Sequence, residues 1–277
     1  MVLTPTEEKK AKLRDLACRR KASRWAGYSN IGDFHGGCYE CDEHVSPFTK
    51  DAGNVDSDLF VMLQDWLSEK DISKPLDPNP AARAEGYTPS ANTNTYLQKL
   101  LSAHFGGLQI RQIYATNLFP FVKPGHTSAP IPDSVLERAA REFGIPQIDI
   151  VRPRLVIVLG VATFRPLIAA AGIKIPWRLL DDAVNNPVDY GSARIWCQSH
   201  TGRSGGAAAR GGSAVVRNDW TRMADWYYGE GHSTELDDST PDKPEVDSRL
   251  GTGRDRDATT MAAWPLQNSD KPGSAPK

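Results

Sequence analysis

The chain has 277 residues, with 33 basic and 34 acidic side chains and a hydrophobic content of 39%. That supplies a sizeable core for one or two domains and argues against a disordered chain. No apolar run approaches the ~18–20 residues that span a bilayer. The charged start "MVLTPTEEKKAKLRDL" lacks a signal peptide's apolar centre, so the expectation is a cytoplasmic protein with no membrane partner.

In chain order, "TEEKKAKLRDLACRRKASRWA" reads as a charged helix with a thin apolar stripe at Leu13, Leu16, Ala17 and Trp25. An irregular stretch follows to residue 58, rich in turn formers. "LFVML" (59–63) is the first strand, and residues 94–105 have helical spacing at Tyr96, Leu97, Leu100, Leu101 and Phe105. "IRQIYATNLFPF" (110–121) is a second strand. "PDSVLERAAREFG" (132–144) is a helix that Gly144 is expected to stop. "RLVIVLG" (154–160) is a third strand, apolar enough to be buried on both faces. A helix follows it, then a fourth strand, "ARIWCQSH" (193–200), a Gly-rich loop and a last helix ending at Gly229. The division expected is an N-terminal extension (1–55), an α/β domain (56–229) and a disordered polar tail (230–277).

Strands that alternate with helices predict an open parallel sheet covered on both faces, in three layers. In such sheets ligands bind beyond the carboxyl ends of the strands. Three of these strands end at polar residues fit for chemistry: Asp65, Asn117 and His200. Charge alone does not point to nucleic acid. The last 47 residues carry nine acids and six bases, which leaves the rest of the chain at net +2. A weakly positive body permits DNA binding without requiring it.

Four cysteines, Cys18, Cys38, Cys41 and Cys197, read as reduced thiols. "HGGCYECDEH" spaces His35, Cys38, Cys41 and His44 at three-residue intervals, compatible with zinc only if the loop wraps tightly. The expectation is no metal and no cofactor.

The order of these segments resembles the uracil-DNA glycosylase superfamily over residues 56–228. "FVMLQDW" is similar to that family's first motif, a strand followed by Gln-Asp. "IYATNLFPFVKPG" resembles its second strand and Pro-containing loop. "QSHTGRSGG" stands where the family has a His-Pro-Ser motif, with Thr201 and Gly202 in place of Pro-Ser. The resemblance implies a three-layer α/β/α fold on a four-stranded parallel sheet. It also implies a monomeric DNA glycosylase that flips a base out of the helix and cleaves its N-glycosidic bond.

On that resemblance Gln64 and Asp65 are the water- and base-binding pair. Asp65 would activate water and stabilise an oxocarbenium-like transition state. Otherwise it is a surface acid capping a turn. His200 would donate a hydrogen bond to the leaving pyrimidine's O2; otherwise it belongs to a mobile loop. Asn117 would read a pyrimidine edge, turned one way for uracil and the other for cytosine, or else it is a turn former.

Strict uracil enzymes follow the Asp with Pro-Tyr, whose Tyr blocks the pyrimidine C5. Trp66 and Leu67 stand here instead. Leu67 leaves room for a C5 substituent; Trp66 contacts the base or belongs to the core. The implied substrate is uracil or a C5-modified pyrimidine, such as the hydroxymethylated or glucosylated cytosine of phage DNA, with antiviral defence as the setting. The alternatives are ordinary uracil repair and a non-catalytic nucleic-acid-binding module. Arg203 is the candidate for the side chain inserted into the base stack or for a phosphate contact, and Arg210 is a second DNA-binding candidate. Tyr87 and Phe119 are candidates to stack on the flipped base.

Overall fold

Thr4 opens the first helix through a reciprocal cap. Its hydroxyl accepts from the Glu7 amide, and the Glu7 carboxylate accepts from the Thr4 amide at 2.7 Å. Helix α1 (Pro5–Ala22) then buries Leu13, Leu16 and Ala17. Trp25, past the helix end, completes the expected stripe by packing on Phe121 at 4.6 Å between ring centres. The computed structural model describes residues 3–74, 84–86, 91–176, 178–202 and 206–229. The expected tail, 230–277, lies outside the described residues, as does the second of the two units into which the chain divides, Leu236–Lys277.

The elements after α1 are β1 (Leu59–Asp65), α2 (Glu69–Ile72), α3 (Asn92–His104), β2 (Tyr114–Phe119), α4 (Asp133–Ala139) and α5 (Ile145–Val151). Then come β3 (Leu155–Leu159), α6 (Val161–Ala170), α7 (Leu180–Asn185), β4 (Val188–Tyr190), β5 (Ala193–Gln198), α8 (Gly206–Ala209) and α9 (Ser213–Gly229). The protein is α/β. Its sheet has the order β2-β1-β3-β5-β4, and all neighbours are parallel except the β4–β5 pair.

Alternation along the strands builds two cores. Phe60, Met62, Val156 and Val158 face a core shared with α1, α4, α5 and α6. Leu59, Val61, Leu155 and Ile157 face the other, closed by α3 and α9. Helices therefore cover both faces, and β3 and residues 59–63 of β1 are apolar because neither face meets water there. Leu13, Leu16, Val45 and Val55 share a core with β1 and β2, so the extension 1–55 belongs to this packing rather than to a separate body.

Two expectations are corrected. The sheet has five strands, not four: β4 forms a hairpin with β5 around Gly191 and Ser192. The positive φ of Gly191 suits the first position of a two-residue type II′ turn. Gly144 also does not stop the helix at 144. A π-helical turn (Ala140–Gly144) carries the chain from α4 straight into α5, which ends at Arg152 in the left-handed region. Gly144 is small because a Cβ there would lie 2.9 Å from Leu118 Cδ1 on β2.

The irregular stretch after α1 is fastened by Arg20, which is fully buried. Its guanidinium donates to the Val45 carbonyl at 3.1 Å and pairs with the Glu40 carboxylate through both terminal nitrogens. Burial raises the pKa of Glu40, but the Arg20 bonds outweigh it and hold the carboxyl below its ordinary value. Among the described residues no helix is long and apolar enough to cross a membrane.

Candidate active site

The parallel strands all end at one edge of the sheet, and a cleft of about 1050 Å³ opens there. Gln64, Asp65, Trp66 and Leu67 at the end of β1, Asn117 on β2 and His200 after β5 all line it. Residues far apart in sequence thus meet in one place, as the strand-end pattern predicts.

Asp65 is nearly enclosed. Its Oδ2 lies 2.8 Å from Lys123 Nζ, and the two side chains are only 11% and 5% exposed. Burial pushes the Asp65 pKa above its ordinary value, against the opposing pull of Lys123 and, more weakly, of His200. Among the described residues Oδ1 has no hydrogen-bond partner.

Asn117 is also buried, and its amide nitrogen donates to Ser46 Oγ at 2.8 Å. A hydroxyl donates or accepts, so Ser46 can hold either end of the amide while the other end faces a base. Trp66 is fixed from the far side: its indole N–H donates to the Gly86 carbonyl at 2.8 Å, and its ring meets Tyr39 edge-on at 5.0 Å. Half-buried Trp66 and Leu67 pack with Tyr39 and Phe34 against Ile31, Ile72 and Val122, forming an apolar wall beside the carboxylate.

His200 sits exposed at the rim, yet the protein around its ring lowers its pKa by desolvation, with Asp65 opposing. The shift favours the neutral ring. Its Nδ1 accepts the Gly202 amide at 2.9 Å, so the single proton resides on Nε2. A neutral imidazole with Nε2–H is a hydrogen-bond donor that needs no prior protonation. Gly202 is required for this seat: a Cβ there would lie 2.8 Å from His200 Nδ1 and 3.2 Å from Thr93 Oγ1. Gly202→Ala is expected to move the imidazole. The ¹⁵N shifts of the ring should report the Nε2–H tautomer in the wild type and a mixed state in the variant. Identical spectra would show that the amide contact does not set the tautomer.

Several sequence candidates lie elsewhere. Phe119 is fully buried, 5.0 Å from Tyr28 and 5.8 Å from Phe121 between ring centres, and does not line the cleft. Its ring is spent on the core; among the described residues Tyr39, Phe48 and Trp66 bring aromatic side chains to the cleft. Arg210 is engaged within the protein. It chelates Asp219 at 2.8 and 3.1 Å and reaches Asp181 at 3.0 Å, with 11% of its side chain exposed. Its work is to tie the Gly-rich loop to α7 and α9. Tyr87 and Arg203 lie outside the described residues.

Among the described residues no three His, Cys, Asp or Glu side chains gather as a metal site. Cys197 is buried in the core, whereas Cys18 and Cys38 are exposed. His35 instead bonds the Ile72 carbonyl.

Sequence reasoning missed Lys123 and Ser46. Lys123 had a signal, being the one charge in the apolar run "LFPFVKP". Ser46 had none, because a serine in an irregular stretch says nothing of the strand it will face. A third omission is Asp71, which lines the cleft beyond Leu67. Burial opposes its ionisation, but bonds from Lys74, Ser68 and Thr127 hold it well below the ordinary carboxylate range. Comparison with protein-family models and with curated proteins returns no match.

Proposed function

We propose that this chain is a DNA glycosylase that draws a flipped pyrimidine nucleotide into the cleft and hydrolyses its N-glycosidic bond. The observation that carries the reading is the meeting of Asp65 at the end of β1, Asn117 within β2 and His200 just after β5 in one cleft. They supply a buried carboxylate, an amide that reads a base edge and a neutral donor. Water attacks the sugar's C1′ as the bond to the base breaks. The bonding electron pair leaves with the base, whose O2 accepts the His200 Nε2–H hydrogen bond, and the water's proton passes to Asp65.

The preferred substrate is a pyrimidine bearing a C5 substituent, such as the hydroxymethylated or glucosylated cytosine of phage DNA, and defence against such phages is the matching role. The cleft's volume of about 1050 Å³ supports this choice. It stands at the top of the ~300–1,000 Å³ range of small-molecule sites. Polar groups suited to hydroxyls, Lys70, Asp71, Thr127 and Ser128, also line the cleft.

The test is a set of matched oligonucleotides carrying uracil, hydroxymethyluracil, hydroxymethylcytosine or glucosylated hydroxymethylcytosine, with abasic product measured for each. Excision confined to uracil restores ordinary repair. DNA binding without any base release leaves a binding module.

The pH profile follows from the two titrating groups. Work requires Asp65 ionised and His200 neutral, so both groups must lose a proton as pH rises. Asp65 does so above the usual ~3.9, and His200 below the usual ~6.5. Base release is therefore expected to climb through the acid range and run flat through neutrality. A rate that peaks near pH 5 and falls toward pH 7 would contradict these roles.

A further inference from the structure

We propose that Lys123 is a positioning residue for this reaction: its ammonium holds the Asp65 carboxylate by one oxygen and leaves the other turned to the attacking water. The inference rests on the glycosylase reading of the cleft.

The geometry begins with the backbone. After β1 the chain enters α2, and the Glu69 amide donates to the Lys123 carbonyl at 2.8 Å. The Lys70 amide reaches the Gly125 carbonyl at 3.0 Å, and Ser68 and Lys123 form a parallel bridge. Val122, next to the lysine, is sealed among Ile31 and Ile72. The segment after β2 is thereby fastened to the segment after β1, and the two halves of the ion pair are carried on those two segments. Lys123 has almost no freedom, and its Nζ stands 2.8 Å from Asp65 Oδ2.

The chemistry gives this placement a use. Burial drives a carboxylate toward its neutral form. A protonated Asp65 could neither take a proton from water nor stabilise positive charge on the sugar. Among the described residues the other charge favouring its ionisation is His200, which is neutral when it works. Lys123 thus carries the task alone. Both partners line the cleft, which a purely architectural ion pair has no reason to do.

The experiment uses the full-length protein and an oligonucleotide that the wild type cleaves, under single-turnover conditions across pH. Lys123→Met is expected to slow base release roughly 10- to 100-fold at neutral pH, part of the ~10²–10⁴-fold that a positioned base supplies. DNA affinity should hold, the acid limb should move to higher pH, and Lys123→Arg should recover part of the rate. A wild-type rate with an unmoved acid limb in Lys123→Met overturns the proposal. So does a borohydride-trapped adduct with abasic DNA that Lys123→Met loses, since that assigns the amine a covalent step.

If Lys123→Met does not fold, Lys123→Gln keeps a donor of similar reach and is read the same way. If the wild type releases no base from any oligonucleotide, the glycosylase reading fails. The ion pair is then judged by ¹³C titration of the Asp65 carboxyl, whose midpoint should rise in Lys123→Gln. An unchanged midpoint overturns the role of Lys123.

Discussion

Asp65→Asn is expected to lose about two or more orders of magnitude in base release while DNA binding persists, the scale set by a positioned base. The amide is nearly the same size and still accepts a hydrogen bond from Lys123, so the fold stays intact. What disappears is the negative charge in a site that excludes most water, where a charge acts far more strongly than in bulk solvent. Asp65→Ala is the harsher variant. It leaves the Lys123 ammonium buried without its partner, and removing one member of a buried pair costs about 3–5 kcal/mol. Its activity must therefore be read beside a melting curve. The double variant Asp65→Ala, Lys123→Met removes both charges and should regain stability without regaining activity. Near-wild-type excision by Asp65→Asn, measured as abasic product in single turnover, would take the carboxylate out of the chemistry and leave the cleft without its central group.

The parts of the molecule that the sequence announces are those governed by periodicity. Runs such as "LVIVL" have one physical solution, a strand buried on both faces, and the polar residue after such a run falls at the sheet's carboxyl edge. That accounts for Asp65 and His200; Asn117 departs from it, because β2 runs on to Phe119 and places the amide inside the strand, yet it still lines the same cleft. What depends on a distant partner was not legible. Arg210 in a Gly-rich loop looks free until α7 and α9 bring Asp181 and Asp219 to it. Phe119 and Asn117 lie on one strand and look equally available, yet one is spent on the aromatic core and the other reaches the cleft. Gly144 carries a helix-stop signal that a π-helical turn overrides, because the glycine lets Leu118 approach. β4 was legible in principle from the Gly191–Ser192 turn, but three residues are too few for alternation to register.

Leu67→Tyr is expected to suppress excision of C5-substituted pyrimidines while sparing uracil, a swing in specificity of roughly 10- to 100-fold. The size follows from what a pocket wall can do: a small added group is discriminated by only ~1–3 kcal/mol. The direction follows from position. Leu67 lies directly after Trp66, whose indole is tied to the Gly86 carbonyl at 2.8 Å, so the backbone here has little room to retreat from a larger side chain. Leu67 lines the same cleft as Asp65 and Asp71. A phenol ring there takes up space that a hydroxymethyl or glucosyl group needs and uracil does not. Asp71, kept ionised by the bonds from Lys74, Ser68 and Thr127 that outweigh its burial, offers a strong acceptor to sugar hydroxyls in the cleft. The two substitutions should therefore separate by substrate. Leu67→Tyr acts on every C5-substituted base, whereas Asp71→Asn weakens only those whose substituent carries hydroxyls far enough out to reach it. The measurement is the ratio of single-turnover rates on glucosylated hydroxymethylcytosine and on uracil for wild type and both variants. If Leu67→Tyr lowers the two rates equally, the wall beside Asp65 shapes the reaction and not the choice of base.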